Sequence, residues 1–186
     1  MALLSTRARR FRAALLLIAL SSIGVAAEAG PASLEWAVKA SYLTKFAPFV
    51  EWPAGSFPKP DSPFRICVAG ENPFDGVLTE VARGQQVQGH PIVIVHVATA
   101  DADDVSACQI LFVGKPAGQS ATDALKAASG APVLTVTDSS HGVNGGMIRF
   151  VMQGGRVRFA IDAAAAQASG LQISSKLLGL AVKVER

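Results

Sequence analysis

The spacing of apolar positions divides this chain into short helices and strands in alternation. Trp36, Ala40, Leu43, Phe46 and Val50 recur at helical spacing and predict a helix over 34–50. Ser33 stands at its start as a cap, and Pro48 marks its frayed end. A proline-punctuated loop follows, Trp52-Pro53-Ala54-Gly55 and Phe57-Pro58-Lys59-Pro60. Residues 64–69 read as a strand ended by Gly70. Asn72-Pro73 reads as the cap and first turn of a helix over 73–82. The β-branched run over 91–97 predicts a buried strand, and 108–113 predicts another. A helix over 119–128 stops at Gly130, and a further strand covers 132–136. Residues 146–152 and 156–161 flank Gln153-Gly154-Gly155 as a hairpin with a glycine turn. A short helix over 163–169 closes at Gly170, and Ser174 or Ser175 caps a last turn through 178–180. Strands that alternate with helices and are continuously apolar predict an α/β fold with a sheet buried on both faces. The expectation is a three-layer α/β/α sandwich with a mixed, mostly parallel sheet and a C-terminal antiparallel hairpin.

The first 29 residues change the picture of charge and location. Arg7, Arg9, Arg10 and Arg12 precede the apolar run Ala13 to Leu20, and small residues follow it. A basic stretch, a short apolar stretch and a small-residue cleavage site read as a secretory signal over 1–27, cut after Ala27 or Ala29. The apolar run is shorter than the roughly 20 residues that span a bilayer, although an uncleaved anchor is the competing reading. The full chain has 17 basic and 14 acidic residues. Removing the four leader arginines leaves 13 against 14, so the basic character belongs to the leader. No basic stripe remains to argue for nucleic-acid binding. The expectation is a single exported domain over 28–186, not embedded in a membrane after cleavage.

Two cysteines remain, Cys67 and Cys108, separated by 41 residues. In an oxidising compartment an even pair usually bridges; the alternative is two buried thiols that never meet. Neither cysteine has a neighbour that makes a redox motif or a zinc cluster, so no cofactor and no metal are expected.

Few residues offer chemistry. Asp138-Ser139-Ser140-His141 collects the residue types of a hydrolase, but in one loop, whereas a triad converges from separate elements. A polar turn is the expectation, and no catalytic set is assigned. His90 and His96 make no recognised metal spacing and read as surface or core-edge residues. Gly114-Lys115-Pro116-Ala117-Gly118 joins a strand to a helix without the Walker pattern and reads as a tight turn. Asp101, Asp103 and Asp104 lack calcium-loop spacing and read as a solvated turn.

Several blocks together resemble the YfiR-like periplasmic regulators. They are Tyr42-Leu43-Thr44-Lys45-Phe46, Phe49-Val50-Glu51-Trp52-Pro53 and Phe64-Arg65-Ile66-Cys67-Val68-Ala69-Gly70. The match continues through Cys108-Gln109-Ile110-Leu111-Phe112-Val113-Gly114 and Pro132-Val133-Leu134-Thr135-Val136-Thr137-Asp138. It closes with Gly145-Gly146-Met147-Ile148, Gly155-Arg156-Val157-Arg158-Phe159 and Gly170-Leu171-Gln172-Ile173-Ser174-Ser175-Lys176-Leu177-Leu178. Order and spacing hold over about 34–181.

The resemblance implies a negative regulator that binds the periplasmic sensor domain of a membrane diguanylate cyclase of the YfiN type and lowers cyclic di-GMP synthesis, with release on reduction. Cys67 and Cys108 match the cysteine pair that family members join. Some members carry a second pair where this chain has Gly142 and Arg149. Trp52, Ile148 and Ala166 stand where the family places a partner-facing apolar patch. Ala160 replaces a carboxylate of the family pattern, and Asp162 is the other candidate for that charge. Self-association of the free form as a homodimer is a further expectation. Two alternatives stand beside this reading. One is a small-molecule-binding sensory module with a pocket lined by Trp52, Phe57 and hairpin residues. The other is an exported hydrolase using Ser140 and His141.

Overall fold

The structure, a computed structural model, describes residues 30–115 and 118–186. The leader with its cleavage positions, and Pro116-Ala117 of the glycine-flanked loop, lie outside the described residues. Helix α1 (Pro31–Phe46) begins three residues before the expected start. Pro31 lies in its first turn, where a missing N–H costs nothing, and Ser33 sits inside the helix, donating to the Gly30 carbonyl at 2.6 Å. Pro48 turns the helix end into a tighter turn over Ala47–Phe49. Strand β1 (Val50–Glu51) follows and pairs antiparallel with β9 (Gln172–Ile173). These two-residue strands are too short to leave a pattern in the sequence.

The main sheet has eight strands: β2 (Phe64–Ala69), β3 (Gln86–Val87), β4 (His90–Val97), β5 (Ile110–Val113), β6 (Leu134–Asp138), β7 (Ile148–Gln153), β8 (Arg156–Asp162) and β10 (Lys183–Glu185). Their spatial order is β10-β8-β7-β6-β5-β2-β4-β3. From β4 to β7 the neighbours run parallel; β8 returns antiparallel through Gly154 and Gly155, whose φ values of 57° and 71° suit a tight hairpin turn. The expected mixed, mostly parallel sheet with a C-terminal hairpin is what forms. The C-terminal strand β10, parallel to β8, has no counterpart in the sequence reading.

Helices cover both faces. On one, α1 and α2 (Val77–Ala82) pack on Phe64, Ile66 and Val68 of β2 and on the apolar residues of β5 to β8. On the other, α3 (Ala102–Ser106) and α4 (Ala121–Ala127) cover Cys67, Ala69, Leu111 and Val113. Two short helices finish the chain, α5 (Ala163–Ala168) and α6 (Ser175–Leu178), capped by the side chains of Asp162 and Ser174.

Two expectations need correction. The helix placed over 73–82 starts only at Val77. The Asn72 side chain accepts from the Phe74 N–H at 3.1 Å, and Asp75 and Gly76 then take positive φ, so the segment is a turn before it is a helix. The strand over 91–97 is not buried throughout; Ile92 alone is buried, because only two-residue β3 lies beyond it.

Cys67 and Cys108 are joined, with Cα atoms 6.0 Å apart. The bridge ties the middle of β2 to the chain entering β5 and is buried in the smaller core beneath α3. At the opposite end of the sheet, Arg149 reaches across β8 to Glu185 of β10 at 2.8 Å. Ala160 stands opposite Arg149 in the β7–β8 pairing, and its small side chain leaves room for that crossing. Lys183 reinforces Glu185 at 2.9 Å. The ion pair thus tethers the C-terminal strand to β7 across β8.

The bridge closes a 41-residue loop, worth about 4 kcal/mol in the chain-entropy account. Cys67→Ser is therefore expected to lower Tm by about 10 °C in a domain of this size; an unchanged melting curve would mean the bridge is idle. The Arg149 hydrogen bond, then that of Lys183, holds the Glu185 carboxyl at about 2 against its ordinary 4.5. A carboxyl depressed in the folded state stabilises above its unfolded value, and that contribution is lost as pH falls from about 4.5 towards 2. An NMR titration should place Glu185 near 2 and, in Arg149→Gln, move it upward towards 4.5.

Candidate functional site

The sheet changes winding direction between β2 and β5. From β2 the chain crosses over α2 to β4 on one side, and it later returns through α3 to β5 on the other. Such a switch point opens a crevice outside the carboxyl ends of the strands, where α/β proteins commonly place their sites. Here the loop after β2 and the loop after β5 are laced together. Gly114 donates to the Ala69 carbonyl and Glu71 to the Lys115 carbonyl, both at 3.0 Å. A Cβ on Gly114 would lie 2.4 Å from the Glu71 carbonyl oxygen, so only glycine allows this approach. The Glu71 and Gly114 N–H groups are thereby already used and are not free to hold an anion.

Above the end of β6 lies a buried ionic cluster. Lys39, on the sheet-facing side of α1, is fully buried. Its ammonium donates to Glu35, one turn earlier on α1, and to Asp138 at the end of β6. It also donates to Ser140 Oγ at 3.2 Å and lies 4.4 Å from the centroid of the Trp36 ring. Asp138 is buried as well. Its second oxygen accepts from the Ser140 N–H at 3.0 Å and from the Ser140 hydroxyl. His141 Nδ1 stands 2.9 Å from Asp138 Oδ2, and its ring lies 4.7 Å from that of Trp36. Among the described residues no buried side-chain nitrogen or oxygen lacks a partner.

Sequence reasoning passed over Lys39 and Glu35. The signal was present: Lys39 falls between Trp36, Ala40 and Leu43 on the apolar stripe of α1, and Glu35 precedes it by one turn. A lysine on a buried stripe needs a partner, because an unpaired buried ammonium is strongly unfavourable.

The cluster brings Asp138, Ser140 and His141 within hydrogen-bonding reach, closer than their adjacency led us to expect. They do not form a relay. One histidine nitrogen, Nδ1, faces both the serine hydroxyl and the carboxylate, whereas a triad uses the two ring nitrogens separately. The serine proton is given to Asp138. The arrangement is a polar turn that Lys39 ties to α1. Glu35, Asp138 and His141 also place three metal-ligating atoms within 4.8 Å of one another. The Lys39 ammonium lies among them and neutralises one of the two carboxylates from the chain itself.

The residues predicted to face a partner scatter in burial. Trp52 is half-buried, packed edge-on against Phe64 at 5.0 Å, with its indole N–H donating to the Gln109 carbonyl at 3.3 Å. Gln109 is buried and pins the adjoining loop by accepting from the Arg65 N–H and donating to the Ser56 carbonyl. Phe57 stacks on His90 at 3.8 Å, which makes His90 a core-edge residue as read from sequence. Asp162 is half-buried and caps α5 through the Ala165 N–H at 2.8 Å. Ile148, Ala160 and Ala166 are buried. Trp52 and Phe57 flank the start of β2 and pack on Phe64, and neither lines the cavity next to the ionic cluster. The cavity next to the ionic cluster is at the opposite end of the strands.

A family model described as DUF4154, YfiR/HmsC-like, matches residues 36–182. No curated protein matches the chain.

Breaking a buried ion pair from one side leaves an uncompensated charge, typically at a cost of about 3–5 kcal/mol. Lys39→Met is expected to destabilise by about that amount in urea unfolding. Lys39→Met combined with Asp138→Leu should cost clearly less than the sum of the two single changes. Additive losses would show that the two groups do not act as a pair.

Proposed function

The chain belongs to the YfiR/HmsC-like family, and from that premise we propose that it is a periplasmic negative regulator of a membrane-bound diguanylate cyclase of the YfiN type or a related sensor. The leader over 1–27 is removed on export, and the remaining single domain folds in the periplasm. It acts by contact with the partner's periplasmic domain, lowering cyclic di-GMP synthesis without chemistry of its own. The observation that carries the reading is the family match, which runs from α1 to the segment before β10. The joined pair Cys67–Cys108 supports it, since it is the pair that the family resemblance singled out.

A regulator of this kind needs only a preference for one state of its partner. About 3 kcal/mol of differential affinity shifts a two-state equilibrium more than a hundredfold. The docking face is assigned around Trp52 and its proline loop, with Asp162 contributing charge. Ile148 and Ala166 lie in the core against which Trp52 packs and act by supporting that face, whereas Ala160 is buried between Arg149 and Lys183 and has no part in it. The free form self-associates as a homodimer in this reading, which leaves the partner competing with a second copy.

Control by reduction follows from where the bridge lies. Both cysteines are buried, so reduction acts through opening of the smaller core, and the folded face is lost with it.

The experiment is co-purification of the cyclase periplasmic domain with the exported protein, as wild type and as Cys67→Ser. Oxidised wild type should retain the partner, and Cys67→Ser should retain at least tenfold less at a temperature near its lowered Tm. Equal recovery by both would remove the redox part of the reading. No recovery by either would remove the docking itself.

A further inference from the structure

We propose that the crevice at the carboxyl ends of β2, β5 and β6 is a binding site for a small aromatic amine, a one- or two-ring compound carrying a primary ammonium group. The inference stands apart from the docking reading, because the crevice lies at the opposite end of β2 from Trp52. Its volume is about 280 Å³. That exceeds the roughly 150 Å³ that encloses benzene and lies just under the range of about 300–1,000 Å³ for drug-sized ligands. The size therefore selects a compact molecule.

The walls select a ring. Trp36 and Phe112 line the crevice edge to face, with centroids 6.4 Å apart, and Pro73 and Val143 add apolar surface. A flat aromatic ligand gains offset or edge contacts with such walls beyond the simple burial of its area.

The unused polar atoms select an ammonium. Asp138 has both oxygens occupied and Lys39 has its protons placed. His141 Nδ1 faces the Asp138 carboxylate at 2.9 Å, and in the tautomer that donates to that carboxylate Nε2 carries a lone pair. Among the described residues Nε2 has no hydrogen-bond partner. The exposed Glu71 carboxylate has no side-chain hydrogen bond there either. Both leftover groups accept protons and neither donates. Glu35, Asp138 and Glu71 also outnumber the ammonium groups of Lys39 and Lys115 around the crevice, leaving one excess negative charge. Lys115 is the one opposing charge; it is exposed at the mouth, where solvent screens it. An entering ammonium donates to Glu71 and to His141 Nε2 and balances the excess charge, while its ring lies against Trp36.

The test is a titration of the purified protein with 2-phenylethylamine, read by tryptophan fluorescence and by Tm. The acid of the same ring and chain length, 3-phenylpropionate, is the control. The amine should saturate with a Kd below about 1 mM and raise Tm, and the acid should bind at least tenfold more weakly. The fluorescence response should survive Trp52→Phe, which leaves Trp36 as the reporter. Glu71→Gln, at an exposed position that leaves the fold intact, should weaken amine binding about tenfold. The proposal is overturned if the amine gives no saturable response, if the acid binds equally well, or if Glu71→Gln leaves the affinity unchanged.

Discussion

The contact on which the rest of the structure depends is the ammonium of Lys39 held between α1 and the end of β6. Apolar residues on α1 would tolerate a range of positions over the sheet, because Ala40, Leu43 and Phe46 bury area without demanding a particular partner. A buried ammonium does not tolerate that range. A shift of α1 by one turn, about 5.4 Å, would carry Lys39 and its helix partner Glu35 away and leave the buried Asp138 carboxylate without its ammonium. The pair therefore fixes the register of α1. Trp36, one turn before Ala40, is placed against His141 and Phe112 by the same constraint.

The two faces of the sheet are stabilised differently. The face under α1 and α2 carries most of the large side chains, with Phe46, Phe64, Phe74, Phe112, Phe150 and Phe159 in one continuous core. The other face has two helices of five and seven residues and mainly alanine and valine beneath them. Short helices and small side chains bury little apolar area, so that layer gains less from the hydrophobic effect. It is also the layer that contains the Cys67–Cys108 bridge. The covalent link offsets the thin packing, and it explains why reduction would act on this layer before the larger one.

Much of the fold was legible in the sequence because its signals are local and strong. Strand β2 and the hairpin strands stood out as apolar or alternating runs, and Gly154-Gly155 marked the turn between them. The capping residue Ser174 acts as its type predicts, accepting from the Leu177 N–H. What the sequence did not reveal depends on long-range contacts. Strand β10 exists because β8 offers it an edge and Arg149 captures Glu185. Asp75 and Gly76 interrupt a periodic segment through backbone conformation, which apolar spacing does not report. The ionic cluster was missed for the same reason: Lys39 and Asp138 are 99 residues apart, and neither is unusual in its own segment.

The position of β2 links these features. Its amino end carries Phe64, which supports Trp52, and Arg65, whose N–H is held by Gln109. Its middle carries Cys67. Its carboxyl end delivers Ala69 and Gly70 to the crevice, where Gly114 fits against the Ala69 carbonyl. A central parallel strand hydrogen-bonded on both sides moves little by itself, so a change at one end reaches the other only through a shift of the whole element or through loss of the layer beneath it. The bridge at Cys67 blocks the second route while it is intact. Breaking it would open that route and leave the smaller core held by packing alone.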